Sequence, residues 1–259
     1  MRIYYTVLDP TGNITALAQT PVPRELQPDA AKAIMEKDAE CEQVGFIEKY
    51  SGSERLQMMG GEFCGNAAMS FAVLRAEKLG LDNLETGVEI SGAAEPVPVV
   101  VKAEKDFYTG TVSMPLPLEI KALTVDGFSA PAVIFPGIAH AVITGPMDRD
   151  RAEKLIRGFA DAAKAEAFGM MLLSPDESAV TPLVYVRSTD SAVWESSCAS
   201  GTAAVGAWAS FRSGEDARLT LIEPEGSLKI EAHTDSGKLK GLYLTGEVRI
   251  VGGKFIDLT

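Results

Sequence analysis

The chain has 259 residues, 46% of them hydrophobic, and a formal net charge of −12 at pH 7. That is enough chain for one large or two medium domains around a sizeable core. The acid excess, without any basic stripe, argues against a nucleic-acid or membrane-surface partner and favours a small-molecule site. Three cysteines make no disulfide framework, the opening MRIYYTVLDP lacks the apolar run of a signal peptide, and no stretch approaches a membrane span. A cytoplasmic protein with reduced thiols is expected.

In chain order, IYYTVLD, ITALAQT, VGFIEKY and RLQMMG predict short strands, with PDAAKAIMEKDAE an exposed helix among them. GGEFCGNAAMSFAVLRAEKLG, residues 60–80, then sets a cysteine at the end of a glycine-bracketed turn, where a helix of small and apolar residues begins. Residues 86–115 (TGVEI, VPVVVKA, FYTGTVSM) predict further strands, and PLPLE at 115–119 a crossover. The order then recurs. AVIFPG and AHAVITG predict strands, DRDRAEKLIRGFADAAKAEA a helix, and GMMLLS and TPLVYVRS strands. WESSCASGTAAVGAWASFRSG, residues 194–214, repeats the cysteine turn and its helix. LTLIEPEG, SLKIEAH and GLYLTGEVRIVGGKF close the chain as a meander. Both cysteine helices end in glycine after a basic residue, Lys78 before Gly80 and Arg212 before Gly214. The expected fold is α+β, two pseudo-symmetric halves, each a curved, mainly antiparallel sheet around a central helix. Residues 1–117 form the half carrying Cys64 and residues 118–259 the half carrying Cys198, with the last strand free to pack on the first half and the site between the halves.

A single cysteine in a cytosolic chain is most often a small buried hydrophobe. Its recurrence in the same context, an acidic residue, a thiol, a small-residue turn and an apolar helix, points to chemistry. The first turn of a helix offers unpaired N–H groups and positive potential, which bind carboxylates and stabilise thiolates. Two such turns could hold an amino-acid carboxylate while one thiolate removes the α-proton and the other thiol returns one on the opposite face. A free cysteine titrates at about 8.5, near enough to neutrality for one partner to be lowered and the other kept protonated. The N–H groups would also stabilise charge developing on the carboxylate. This chemistry needs no cofactor. His140 and His233 lie far apart in sequence and belong to no metal-binding pattern, so no metal is expected and both are read as structural or surface groups. Neither phosphate-binding nor dinucleotide-binding glycine motifs occur, nor a G-x-S-x-G elbow.

FCGNA and SCASGTAA resemble the cysteine motifs of the diaminopimelate epimerase fold, as do Thr11-Gly12-Asn13, Pro224-Glu225-Gly226-Ser227 and Thr245-Gly246-Glu247. The resemblance spans the whole chain in order. PTGNIT, CEQVGFIE, GGEFCGNAAMS, FGMMLL and VWESSCASGTAA are similar to segments of the histidine racemases of staphylopine-type metallophore biosynthesis within that fold. It implies a cofactor-independent two-base racemase, a homodimer, with Cys64 and Cys198 as base and acid in alternation. It implies that Gly65, Asn66, Ala67, Ala199, Ser200, Gly201 and Thr202 bind the α-carboxylate through backbone N–H groups. Asn13 would contact the substrate, or serve only as a turn asparagine. Glu42 and Glu195 are candidates for the substrate's amino group or side chain, with an exposed charge the alternative for each. Cys41 is read as structural.

The N-A-D-G-S run and the Glu-Arg pair with which diaminopimelate epimerases grip a second amino-acid end are missing. QMMGGE and STDSAVWE stand in their places, and Ala199 replaces the usual glycine after the second cysteine. The implied reaction is L-histidine to D-histidine for opine-type metallophore biosynthesis. The alternatives are diaminopimelate or another amino acid as substrate, and a binding protein regulated by a Cys64–Cys198 disulfide.

Overall fold

The computed structural model describes residues 1–50 and 52–258. The chain forms two compact units, Met1–Ser113 with Thr245–Thr259, and Met114–Leu244.

The first unit runs β1 (Arg2–Pro10), β2 (Thr15–Ala18), α1 (Gln27–Lys37), β3 (Gln43–Tyr50), β4 (Ser53–Met58), α2 (Gly65–Leu79), β5 (Asn83–Ile90), β6 (Val97–Ala103) and β7 (Tyr108–Met114). It is completed by the end of the last strand, β16 (Lys238–Asp257). These strands follow the order β1-β2-β3-β4-β5-β6-β7-β16, and β16 also pairs with β1, so the sheet closes into a ring with no free edge. β2–β3 and β4–β5 are parallel, and each parallel pair is joined by a helix, α1 and α2 respectively, as parallel pairing demands. α2 packs against β1, β2, β5 and β6. Its run from Gly65 to Leu74 is buried, so its sequence is apolar or small on every side rather than amphipathic. α1 lies on the outer face, where Ala30, Ala31 and Ile34 join Ile3, Tyr5, Val7, Ala16, Val44 and Phe46 in one core. The short β2, TALA, is therefore buried throughout.

The second unit runs β8 (Glu119–Val125), β9 (Phe128–Ile134), β10 (Ile138–Ile143), α3 (Arg149–Ala163), β11 (Ala167–Leu173), β12 (Val180–Val186), β13 (Ser191–Trp194), α4 (Ala199–Ser213), β14 (Ala217–Glu223), β15 (Gly226–Asp235) and the start of β16. Six strands form a sheet in the order β13-β12-β11-β10-β9-β8, and β14-β15-β16 lie side by side. Only β10–β11 is parallel in the six-stranded sheet, and α3 spans it. α4 packs against β9, β10 and β11 on one side and β14 and β15 on the other. α3 buries Leu155, Ile156 and Phe159 with Phe168, Met170 and Leu183. Each unit thus has an outer helix spanning a parallel pair and an inner helix that starts at a cysteine.

Two strands differ from the sequence expectation. The segment read as a crossover, PLPLE, ends in β8, and β13 was not expected. β8 is mostly exposed, with Leu123 its single buried residue, so it carries little hydrophobic signal. Its hairpin to β9 does have one: Asp126 and Gly127 both have positive φ, 47° and 76°, the Asp-Gly hairpin turn.

Candidate active site

Cys64 and Cys198 occupy equivalent positions. Each is the residue before the first helical turn, in extended backbone, φ −131°, ψ 116° for Cys64 and φ −132°, ψ 100° for Cys198. Each helix has 15 residues and ends on a left-handed glycine, Gly80 (φ 64°) or Gly214 (φ 75°). All three cysteines are free. The side chains around the two catalytic candidates differ.

Around Cys64 the neighbours are mainly neutral amides. Its Sγ accepts a 3.4 Å hydrogen bond from the Ala67 N–H, and the Gln43 side chain also bonds it. Gln43 Nε2 donates to Asn13 Oδ1 at 2.6 Å and to Thr15 Oγ1 at 2.8 Å. Asn13 Oδ1 accepts in addition from Asn66 Nδ2 at 3.2 Å, and Asn13 Nδ2 donates to Glu42 Oε2 at 2.5 Å. Asn13 is held by the turn after β1, where Thr11 and Gly12 have positive φ and Gly12 N–H donates to Asp9 Oδ1 at 2.6 Å. Desolvation pushes the Cys64 thiol up to about 11; the Ala67 N–H and Gln43 pull it down, and the Glu62 charge pushes it further up. The buried Asn66 Oδ1 has no hydrogen-bond partner among the described residues.

Around Cys198 the neighbours are acids. Glu195, half-buried, hydrogen-bonds the thiol, and Glu223, buried, accepts from the Cys198 backbone N–H at 2.6 Å and from the Thr202 hydroxyl. Burial first, then the charges of Glu195 and Glu223, raise this thiol well above the ordinary cysteine range. Ser200 Oγ lies 3.7 Å from Cys198 Sγ and 2.9 Å from His140 Nε2. His140 is fully buried, and desolvation lowers it to about 3, so its ring is neutral. Across the β10–β11 ladder His140 sits opposite Gly169, where a Cβ would come within 2.2 Å of His140 Nδ1. A Cβ on Gly201 would sit 2.1 Å from Met171 Sδ and 3.2 Å from Cys198 Sγ, so a side chain there would have to displace the end of Met171 and crowd the thiol.

The structure therefore places Asn13, Glu42, Asn66 and Ala67 in one network with Cys64, and Glu195, Ser200, Gly201 and Thr202 around Cys198. Gly65 and Ala199 are the first residues of their helices, where N–H groups have no intrahelical partner. Two of the expected carboxylate donors are already engaged: the Ala67 N–H by Cys64 Sγ, and the Thr202 N–H by the Cys198 carbonyl at 2.9 Å. The expectation of a thiol lowered by its helix is also not met, because desolvation outweighs the N–H groups at both cysteines. Sequence reasoning missed Gln43 and Glu223 and assigned His140 no part in the site. Among the described residues no group of three or more His, Cys, Asp or Glu side chains is placed to hold a metal ion, and no helix is long and apolar enough to cross a membrane.

The chain matches the family described as histidine racemase CntK N-terminal domain over residues 2–254. It is 31% identical to a histidine racemase of Fusobacterium nucleatum over 254 residues, covering 94% of this chain and 93% of that one. A histidine racemase of Staphylococcus aureus is 28% identical over 242 residues, 88% of each chain. Among solved structures, a predicted epimerase from Pseudomonas aeruginosa superposes with a TM-score of 0.73 at 13% identity, over all of both chains. A hydroxyproline epimerase from Agrobacterium vitis, with trans-4-hydroxy-L-proline bound, superposes with a TM-score of 0.66 at 13% identity, covering 98% of this chain and 91% of that one. At these identities the structural neighbours show the α+β racemase and epimerase fold.

Proposed function

The chain belongs to the histidine racemase family, an isomerase of the amino-acid racemase class, and on that premise we propose that it interconverts L- and D-histidine by a two-base reaction on Cys64 and Cys198. The observation that carries this reading is the pair of cysteines set in matching backbone at the starts of matching helices. In the forward direction one thiolate takes the α-proton and becomes a thiol. The electron pair left on Cα is delocalised into the carboxylate, and the other thiol delivers its proton to the opposite face and becomes the thiolate. The cysteines end with their roles exchanged, so the next turnover of the same sense requires proton exchange with water. First-turn N–H groups at Gly65, Asn66, Ala199, Ser200 and Gly201 hold the carboxylate and take up its developing charge.

Of the two thiols, Cys64 gives up its proton more readily and serves as the base, and Cys198 serves as the acid. The support is electrostatic: neutral amide donors face Cys64, whereas two carboxylates adjoin Cys198. Glu42, tethered by Asn13, accepts a hydrogen bond from the imidazole, and Glu195 faces the ammonium. Acceptors of this kind reject substrates that leave them unpaired. The reaction supplies opine-type metallophore biosynthesis in the cytoplasm, and the chain acts as a homodimer without cofactor. Purified, reduced protein incubated with L-histidine in heavy water should yield D-histidine, resolved by chiral chromatography, and should leave diaminopimelate unchanged. Turnover of diaminopimelate with none of histidine would overturn the substrate assignment. Glu42→Gln should raise KM for histidine more than it lowers kcat; an unchanged KM would remove Glu42 from the substrate site.

A further inference from the structure

Glu223 is the last residue of β14 and is 3% exposed. Its carboxylate takes a backbone N–H from Cys198 itself and a hydroxyl from Thr202, four residues along on α4. The two donors bracket the start of the helix, so one side chain fixes both the thiol's own backbone and the turn behind it. The following residues extend the tie, since the Glu225 N–H donates to the Ser196 carbonyl at 3.3 Å. The first unit does the same mechanical job without charge. There the residue that follows β5 is Ser91, 2% exposed, whose hydroxyl accepts from the Met58 N–H at 2.9 Å and donates to the Glu62 carbonyl at 2.8 Å. A neutral hydroxyl thus suffices to pin a cysteine turn to a strand end. A buried carboxylate costs more desolvation than a hydroxyl, so its presence beside Cys198 calls for a reason other than fixing a loop.

We propose that Glu223 is a positioning residue for Cys198: it fixes the turn that carries the thiol, and its negative charge keeps that thiol protonated so that it serves as the proton donor. This rests on the reading of Cys198 as the acid partner in racemisation. The titratable groups facing the thiol are Glu195 from the segment after β13, Glu223 from β14 and, through Ser200, the neutral His140 from β10. Burial pushes the Glu223 carboxyl up to about 7, against the hydrogen bonds from Thr202 and the Cys198 N–H. Its charge, and with it the proton affinity of Cys198, therefore changes near neutral pH.

The test is alkylation by iodoacetamide as a function of pH, with Cys64 and Cys198 followed separately by peptide mass spectrometry. Glu223→Gln keeps the shape and removes the charge, so the Cys198 rate at pH 8 should rise about tenfold, the size expected when a like charge a few ångströms away is removed. Cys64 should change less than about twofold, being in a different network. Glu223→Asp keeps the charge and should leave Cys198 close to the wild-type rate; a merely structural role would disturb Cys198 equally in both variants. If Glu223→Gln fails to fold, Thr202→Val takes its place. Removing one donor makes the carboxyl easier to protonate, and the Cys198 rate at pH 7 should rise about threefold. An unchanged Cys198 rate in the folded variant, or equal rates in the Gln and Asp variants, would overturn the proposal. Cys198→Ser that still racemises would instead overturn the catalytic role of Cys198 and leave the alkylation result standing.

Discussion

The turns at Cys64 and Cys198 share backbone angles, helix length and glycine ending, yet they are held by opposite kinds of side chain. Cys64 sits in a mesh of Asn13, Gln43 and Asn66, with Glu62 acting on it through its charge; Cys198 sits against Glu195 and Glu223. The difference teaches that the duplicated architecture sets where the thiols are, while the unshared neighbours set how strongly each one holds its proton. On the proposed two-base reading, these unequal surroundings make Cys64 the readier base and Cys198 the acid.

The comparison breaks most severely when a thiol is lost. Cys64→Ser and Cys198→Ser should each lower racemisation by at least about 10³-fold, within the range general acid–base catalysis contributes, with circular dichroism and melting little changed. Either variant retaining near wild-type turnover would refute the two-base assignment. Next in size is Gly201→Ala. Its Cβ falls on Met171 Sδ and close to Cys198 Sγ, so it should cost about 1–3 kcal/mol in urea unfolding, as overpacking does, and slow turnover at the same time. Adding Met171→Ala should recover part of both losses.

Asn13→Ala probes the neutral mesh. It leaves Gln43 and Asn66 without their shared acceptor, and turnover should fall about tenfold, the equivalent of roughly one lost hydrogen bond with an unsatisfied partner. Iodoacetamide reactivity should change at Cys64 and stay constant at Cys198; a change at both would mean the two networks are not separate.

A separate effect concerns stability against pH rather than turnover, and it belongs to the Cys198 side. His140 is lowered to about 3 when folded, so below its unfolded value near 6.5 the unfolded chain binds the extra proton and stability falls as pH falls. Glu223 is raised to about 7, so between its ordinary carboxylate range and 7 the folded chain binds the extra proton and stability falls as pH rises. The two slopes oppose each other. His140→Gln should remove the first, making the variant's urea stability relative to wild type improve from pH 6.5 to pH 5 by about 1.4 kcal/mol per unit. No pH dependence in that difference would mean His140 is not buried neutral.

Much of this was legible because it is local. A cysteine before a small-residue turn, a helix apolar on every side and a closing glycine are all written within 21-residue stretches, residues 60–80 and 194–214, so both helices and both thiols could be found. Asn13 and Glu42 were reached through resemblance. Gln43 lies just before the predicted strand VGFIEKY and carried no signal of its own until β3 placed its amide beside Cys64, and Glu223 lay unremarked within the predicted strand LTLIEPEG until β14 packed under α4. His140, 60 residues from Ser200, meets it only because β10 packs against α4. β8 was lost for a different reason: its one buried residue leaves no hydrophobic period to read, and its Asp-Gly turn was the signal to follow.

The most direct test of the two-thiol account is the isotope pattern of the first turnovers in heavy water. L-histidine should give D-histidine carrying deuterium at Cα while the remaining L-histidine keeps its proton, because the base that removes hydrogen from one face is not the acid that delivers it to the other. Deuterium appearing in residual L-histidine as fast as in the D-isomer would mean that one base serves both faces, and would contradict the central claim.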